Sequence, residues 1–252
     1  MRDKLLSRRE PSLQSKGEGA GRKATMGDLN NFQDSTFVIT AIVAAARHPG
    51  RFEVDVNGRS FASLSIEGLE RLRISIGSDI TDRLDAVLAE AARLAVYDRA
   101  LNMLAFRARS GAELSRALVR KGADREHVSQ AIHRLVEQGF IDDAAFARAF
   151  TRAKVVGASH SRRRVQQELQ RKGVARDVAA EAIGEVLVEE GIDQLALIEA
   201  AARRKLRTLA GMEPAVRRRR LYGFLARRGF DAGDIQRVLS TLGDPVPPND
   251  GE

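Results

Sequence analysis

The four histidines are the first side chains to consider for chemistry, because a histidine can bind a metal or transfer a proton. They are His48, His127, His133 and His160, scattered along the chain. His127 and His133 are six residues apart, so on a helix they point to different faces. This spacing predicts no shared metal site, and a surface position is the more ordinary explanation of each histidine.

Two pairs of adjacent carboxylates are the next candidates. Asp142-Asp143 opens a predicted helix, where aspartate caps unpaired N–H groups and meets the positive end of the helix dipole. Glu189-Glu190 ends a predicted helix before Gly191 and is expected to be solvated. No Ser-His-Asp order, glycine loop or carboxylate dyad has the spacing that catalysis requires. We therefore expect no enzyme, no cofactor and no small-molecule substrate; a hydrolase assembled from distant segments is the least supported alternative.

Arginine clusters are a stronger signal, and they lie in the basic part of the chain. The formal net charge is +8, of which +1 belongs to residues 1–93 and +7 to the remainder. The clusters are Arg162-Arg163-Arg164, Arg203-Arg204-Lys205 with Arg207, and Arg217 to Arg220. Four adjacent arginines wrap around a helix and cannot all share one face. Cations at a helix N-terminus oppose the dipole, which weakly favours an anionic partner, although a solvated surface explains any single arginine equally well.

These clusters contain no aromatic residue, so stacking on single-stranded bases is not indicated. Contact with phosphates or with an acidic protein groove suits the pattern better, and a simple basic DNA-binding protein suits it as well. The candidate binding residues are Arg162, Arg163, Arg164, Lys172, Arg217, Arg218, Arg219, Arg220 and Arg228.

A basic step before a glycine recurs at Gly122, Gly173 and Gly229, with spacings of 51 and 56 residues. Apolar residues stand eight and four positions before each glycine and six, ten and thirteen after it: Leu114, Leu118, Val128, Ile132 and Leu135; Val165, Leu169, Ala179, Ile183 and Val186; Leu221, Leu225, Ile235, Leu239 and Leu242. These spacings predict two helices separated by a glycine stop, with the adjacent Lys or Arg at the negative end of the first helix. The recurrence predicts tandem structural modules.

Each glycine-centred helix pair has a further predicted helix in front of it, near residues 98–108, 142–154 and 193–209. The chain is therefore predicted to be mainly α, with three-helix repeats at 97–140, 141–191 and 192–243. A disordered lead is predicted at 1–34, a small β-hairpin plus helix at 35–96, and a disordered tail at 244–252.

The N-terminal element is predicted from alternating apolar residues around Asn57-Gly58, a dipeptide preferred in two-residue hairpins. Pairing across that turn is expected to set Val54 opposite Phe61. The other local predictions are a strand from Phe37 to Val43, a helical turn from Ser65 to Leu72, a short strand from Arg73 to Ile76, a cap at Asp79 or Thr81, and a helix break near Tyr97-Asp98.

The sequence has no cysteine, which excludes disulfides and thiolate metal sites and suits a reducing compartment. It also lacks a run of about eighteen to twenty apolar residues, the length that a membrane helix needs. We therefore expect a cytoplasmic protein with no membrane partner.

The chain from about Asp98 to Leu242 resembles the RecX family of bacterial regulators of the RecA recombinase. The resemblance is carried by SGAELSRALVRKG at Ser110 to Gly122, IDDAAFA at Ile141 to Ala147, RVQQELQRKG at Arg164 to Gly173, and LARRGF at Leu225 to Phe230. It implies three tandem three-helix repeats in a curved, elongated body. The segment from Thr36 to Val96 looks like the N-terminal extension of longer members.

The resemblance also implies a function in homologous recombination, DNA repair and the SOS response. RecX proteins bind RecA along the filament groove and inhibit its ATPase, strand-exchange and coprotease activities, with some affinity for DNA. The expected partners are thus RecA, the RecA–DNA filament and the DNA backbone. The alternative is a sequence-independent basic DNA-binding protein that acts without RecA.

Overall fold

A computed structural model describes residues 36–46 and 48–242. The predicted lead at 1–34 and tail at 244–252 lie outside the described residues. The described chain forms two compact units, one up to Leu94 and one from Ala95 onward. None of its helices is both long and apolar enough to cross a membrane.

The first unit contains a three-stranded antiparallel sheet in the order β1-β2-β3. The strands are β1 (Ile39–Ala44), β2 (Arg51–Val56) and β3 (Arg59–Ser65), and they are followed by α1 (Ile66–Arg71) and by the start of α2 (Leu84–Phe106). The prediction of a β-rich element is confirmed, and the sheet packs its inward face around side chains including Ile39, Val54 and Leu64.

The turn between β2 and β3 has positive φ at both Asn57 (49°) and Gly58 (77°), as the dipeptide predicts. The predicted register beyond it is wrong, because Val54 pairs with Ala62 and not with Phe61. The ladder shifts between Val54 and Asp55, and this irregularity moves the register by one residue.

Ser65 caps α1 as predicted, since its Oγ accepts a hydrogen bond from the Gly68 N–H at 3.1 Å. The strand predicted from Arg73 to Ile76 is wrong. The N–H groups of Arg73 and Ile74 donate back to the carbonyls of Glu70 and Leu69, so these residues end the helix and do not form a strand.

The predicted caps of the next helix are partly confirmed. Asp79 Oδ1 accepts from the Thr81 N–H at 2.9 Å, just before a short 3₁₀ turn at Thr81–Arg83. The predicted break near Tyr97-Asp98 is wrong, because α2 runs without interruption to Phe106. Val96 and Ala100, which flank these two positions, are both buried and continue the apolar face of the helix.

The second unit is entirely helical in its described part and contains three modules of three helices. Module 1 comprises α2 from Ala95 onward, α3 (Gly111–Arg120) and α4 (Arg125–Glu137); module 2 comprises α5 (Asp143–Arg152), α6 (Arg162–Lys172) and α7 (Arg176–Glu189); module 3 comprises α8 (Gln194–Arg207), α9 (Pro214–Arg227) and α10 (Ala232–Thr241). A single π-helical turn at Ala153–Gly157 follows α5. The prediction of a mainly α protein with three-helix repeats is confirmed.

The apolar residues at the repeated offsets form the core of each module. All are buried except Ile132 and Leu242, which are half-buried. The three repeat glycines have left-handed φ values of 84° at Gly122, 89° at Gly173 and 85° at Gly229. They therefore end their helices as predicted, in a conformation that costs other residues about 1–2 kcal/mol.

Candidate functional site

The second and third repeat glycines also join neighbouring modules. At the first contact, termed joint 1, the Ser110 hydroxyl donates to the Lys172 carbonyl at 2.6 Å and accepts from the Glu113 N–H at 3.1 Å. Gly173 lies so close to α3 that a Cβ built on it would stand 2.3 Å from the Ala112 Cβ. The Ser110 hydrogen bond and the close approach of Gly173 thus hold module 1 against module 2.

The same arrangement recurs between modules 2 and 3, termed joint 2. The Ser161 hydroxyl donates to the Gly229 carbonyl at 2.7 Å, and the Ser161 N–H donates to the Arg228 carbonyl at 3.0 Å. A Cβ on Gly229 would stand 2.6 Å from the Arg164 Cβ. Gly122 belongs to the first module, and a Cβ there would meet no atom within 4 Å.

The spacing of two serines in the sequence is a signal for these joints. Ser110 and Ser161 stand twelve residues before their own repeat glycines, at the N-cap of the second helix of each module. The corresponding position in module 3 is Arg217. A serine therefore occurs in the two modules that are followed by another module.

Replacing Ser161 with alanine should lower the free energy of unfolding by about 2 kcal/mol. The change removes both a helix cap and a hydrogen bond to a carbonyl at joint 2. Asp193→Ala is the matched control, since Asp193 caps α8 through the Leu195 and Ala196 N–H groups. It should cost about 1 kcal/mol. Equal losses in chemical denaturation would contradict the role of Ser161 at joint 2.

Charged side chains surround joint 1. Glu113 accepts from Arg107, lies 3.2 Å from Arg109 Nη1 and lies 3.3 Å from Lys172 Nζ. The hydrogen bond from Arg107, together with Lys172, lowers the pKa of Glu113, although partial burial opposes this. Lys172 Nζ also lies 5.4 Å from the centre of the Phe150 ring. The candidate Lys172 is therefore half-buried between two modules and already paired.

Charged side chains also surround joint 2. Glu168 accepts from Arg164 Nε at 2.7 Å and lies 3.2 Å from Lys154 Nζ. Burial raises the pKa of Glu168, but the hydrogen bonds from Arg164 and Lys154 outweigh it and the pKa is lowered. Arg163 pairs with Asp231 of module 3 at 3.1 Å. Of the candidate arginines, Arg163 thus pairs across modules 2 and 3, whereas Arg164 pairs within its own helix.

His160 gives joint 2 a predicted pH dependence. Burial lowers its pKa below the ordinary 6.5; Glu168 opposes this shift, and the positive charges of Lys154, Arg228 and Arg164 add to it. The unfolded chain therefore takes up this proton at higher pH than the folded chain, so stability should fall as the pH drops below about 6.5.

The measurement is the free energy of unfolding at about pH 7.5 and about pH 5.5, on either side of the ordinary histidine pKa. His160→Gln should reduce the loss on acidification because the side chain can no longer be protonated. His133→Gln, at a side chain 75% exposed, is the control and should leave the loss as it is in the parent protein. The interpretation fails if His160→Gln also leaves it unchanged.

Next to joint 2, two cations of module 3 lie over one aromatic ring, and a third acts on one of them through its charge. Arg228 Cζ lies 4.4 Å and Lys205 Nζ 5.5 Å from the centre of the Phe224 ring. Burial lowers the pKa of Arg228, and the positive charge of Arg204 lowers it further. Within the described residues, none of these three cations forms an ion pair. We call Arg204, Lys205, Phe224 and Arg228 the cation cluster.

The cation cluster could be anticipated only in part from the sequence. Arg204 and Lys205 belong to a basic run, but Phe224 lies in another helix and is absent from every such run. The ring is half-buried against the core of module 3, and Lys205 and Arg228 lie over its face in cation–π contacts. Uncompensated positive charges held close together favour an anionic ligand.

The remaining candidates lie on different sides of their helices. Arg218 is buried, at 7% exposure, and Arg217 is half-buried, whereas Arg219 and Arg220 are exposed. Arg162 is exposed at the start of α6. The fold brings Arg162–Arg164 and Arg228 together at joint 2, but it leaves Lys172 at joint 1 and Arg217–Arg220 wrapped around α9. Their role in binding stays a prediction.

Comparison with known proteins identifies the family. Models of the first, second and third three-helix domains of RecX match residues 97–135, 142–183 and 192–239. A Regulatory protein RecX from Pelodictyon phaeoclathratiforme is 36% identical over 143 residues, which are 57% of this chain and 86% of that protein. The chain belongs to the RecX family.

Other RecX proteins show the same match. The Regulatory protein RecX from Halorhodospira halophila is 40% identical over 154 residues, covering 60% of this chain and 91% of that protein. A crystal structure of regulatory protein RecX superposes with a TM-score of 0.64 at 20% identity, covering 81% of this chain and 99% of that one. This structure shares the RecX fold, and the family name fits a regulatory role.

Proposed function

We propose that this RecX-family protein binds in the groove of the RecA–DNA filament and inhibits the ATPase, strand-exchange and coprotease activities of RecA. The observation that carries the proposal is the cation cluster beside joint 2. Arg204, Lys205 and Arg228 have no acidic partner within the described residues, and a filament offers both phosphates and acidic protein surface as counter-charges.

The two joints support the proposal through rigidity. A ligand that contacts several modules at once binds more tightly when the modules are already held in place, since less conformational freedom is lost on binding. Two hydrogen bonds hold the modules in place before binding, Ser110–Lys172 at joint 1 and Ser161–Gly229 at joint 2. Arg162, exposed beside Ser161 of joint 2, is included in the proposed basic surface.

ATP hydrolysis by RecA on single-stranded DNA tests the proposal. Purified protein added at substoichiometric to equimolar levels should lower the rate, because it occupies the groove of an assembled filament. An unchanged rate, together with no binding to filaments, would contradict the proposed function. The same function places the protein in the cytoplasm, where RecA acts on DNA.

A sequence-independent DNA-binding protein is the second candidate, and the same cation cluster favours it. It predicts an affinity for naked DNA that falls steeply with salt, as expected when several phosphate contacts release counterions. It also predicts equal inhibition of an unrelated DNA-dependent ATPase. Inhibition confined to RecA would exclude this alternative.

A further inference from the structure

A cleft on module 1 lies apart from joint 2 and from the cation cluster, and it shares only Arg109 with the charged surroundings of joint 1. It has a volume of about 570 Å³ and is lined by Arg99, Asn102, Met103, Phe106, Arg109 and Lys121. The first four residues belong to α2, and Lys121 follows α3. The cleft therefore occupies the groove between the end of α2 and the end of α3.

The apolar part of the cleft is unusually exposed. Phe106 is the last residue of α2 and is 85% exposed, while Met103 lies half-buried one turn earlier. The core of module 1 is complete without Phe106. Such an exposed aromatic side chain next to a concave, partly apolar surface is typical of a site that a partner covers.

Positive charge surrounds this apolar surface. Arg99 and Lys121 are exposed, and neither forms an ion pair with any residue that the structure describes. Arg109 is already held by Glu113 at 3.2 Å and by the Met103 carbonyl at 3.4 Å. The cleft thus offers two available cations on the rim of an apolar groove.

We propose that this cleft binds a short acidic segment of a partner protein, in which carboxylates flank an apolar side chain. Arg99 and Lys121 would meet the carboxylates, and Phe106 with Met103 would cover the apolar side chain. A nucleic-acid backbone fits less well, because it gains affinity from long rows of cations and has no apolar side chain for the groove. The proposal does not rest on RecA binding, since the cleft is separate from the cation cluster.

Binding of a fluorescein-labelled peptide of glutamates with one central Leu-Phe pair to the full chain, followed by fluorescence anisotropy, tests the proposal. Phe106→Ser and the pair Arg99→Glu/Lys121→Glu should each weaken binding about tenfold. An all-glutamate peptide should bind more weakly, and a lysine peptide with the same Leu-Phe pair should not bind.

Two matched controls keep the test specific. Val188→Ser changes an apolar side chain of module 2 that is 82% exposed, and Arg125→Glu/Arg176→Glu makes the same charge change at exposed helix starts. Both should leave peptide binding unchanged. Binding that Phe106→Ser and Arg99→Glu/Lys121→Glu do not alter would overturn the proposal. So would an equal loss of affinity for single-stranded DNA in the same variants, because the cleft would then be a nucleic-acid site.

Discussion

Gly173→Ala should destabilise the protein by about 3 kcal/mol, whereas Gly122→Ala should cost only about 1 kcal/mol. Both glycines have nearly the same left-handed φ, 89° and 84°, so both variants carry the same backbone strain. Only at Gly173 does the added Cβ collide with another module, at 2.3 Å from the Ala112 Cβ. Chemical denaturation of the two variants measures the difference.

A second substitution identifies the source of the larger loss. Ala112→Gly removes the atom that the new Cβ meets, so it should recover part of the stability that Gly173→Ala loses. In the parent protein Ala112→Gly should instead cost up to about 1 kcal/mol, since glycine is a poor helix former. Equal losses for Gly173→Ala and Gly122→Ala, with no recovery by Ala112→Gly, would show that joint 1 contributes nothing to stability.

Arg204→Glu combined with Arg228→Glu should weaken binding to RecA filaments by about tenfold or more. The pair reverses two of the uncompensated charges of the cation cluster while leaving the core of module 3 in place. Arg125→Glu/Arg176→Glu changes net charge equally at positions outside the cluster. It should have little effect, so the comparison separates a local site from general charge.

The salt dependence of filament binding is a second measurement on the same variants. If the two arginines contact phosphates, the slope of log affinity against log salt should fall by about 2 in Arg204→Glu/Arg228→Glu. Helicity measured by circular dichroism should match that of the parent protein. Filament affinity equal to that of the charge control would show that the cluster is not the binding site.

The modules were predictable from sequence because their cores are local. Leu114, Leu118 and Val128 lie within fifteen residues of one another, and helical periodicity alone places them on facing sides of a turn. The joints depend instead on pairs far apart in the chain. Ser110 bonds to a carbonyl 62 residues away and Ser161 to one 68 residues away. Periodicity within one helix contains no information about such contacts.

The small sheet is a second region in which sequence patterns predict only part of the structure. The Asn57-Gly58 turn was predictable because few residues accept two successive positive φ angles. The register beyond it was not, since the hairpin dipeptide does not specify the one-residue shift between Val54 and Asp55, beside which the adjacent residues Phe61 and Ala62 are both buried. Likewise, Tyr97-Asp98 contains neither glycine nor proline, and buried neighbours extend α2 through it.

For the binding surface, the sequence indicated which segments are basic but not which cations are available. Helical rotation buries Arg218 while leaving Arg219 exposed, as expected for adjacent residues. Lys172, Arg163 and Arg164 have acidic partners in the folded protein, two of them in another module. The surroundings of Arg228 depend on a helix more than twenty residues away in sequence, so only the fold shows them.

Direct binding to assembled filaments tests the central claim. RecA is assembled on single-stranded DNA with a non-hydrolysable ATP analogue, and co-sedimentation of this protein is measured against DNA alone and against RecA alone. We predict saturable binding to the filament that exceeds binding to either component. Sedimentation no greater than with DNA alone would contradict the account and leave a general DNA-binding protein.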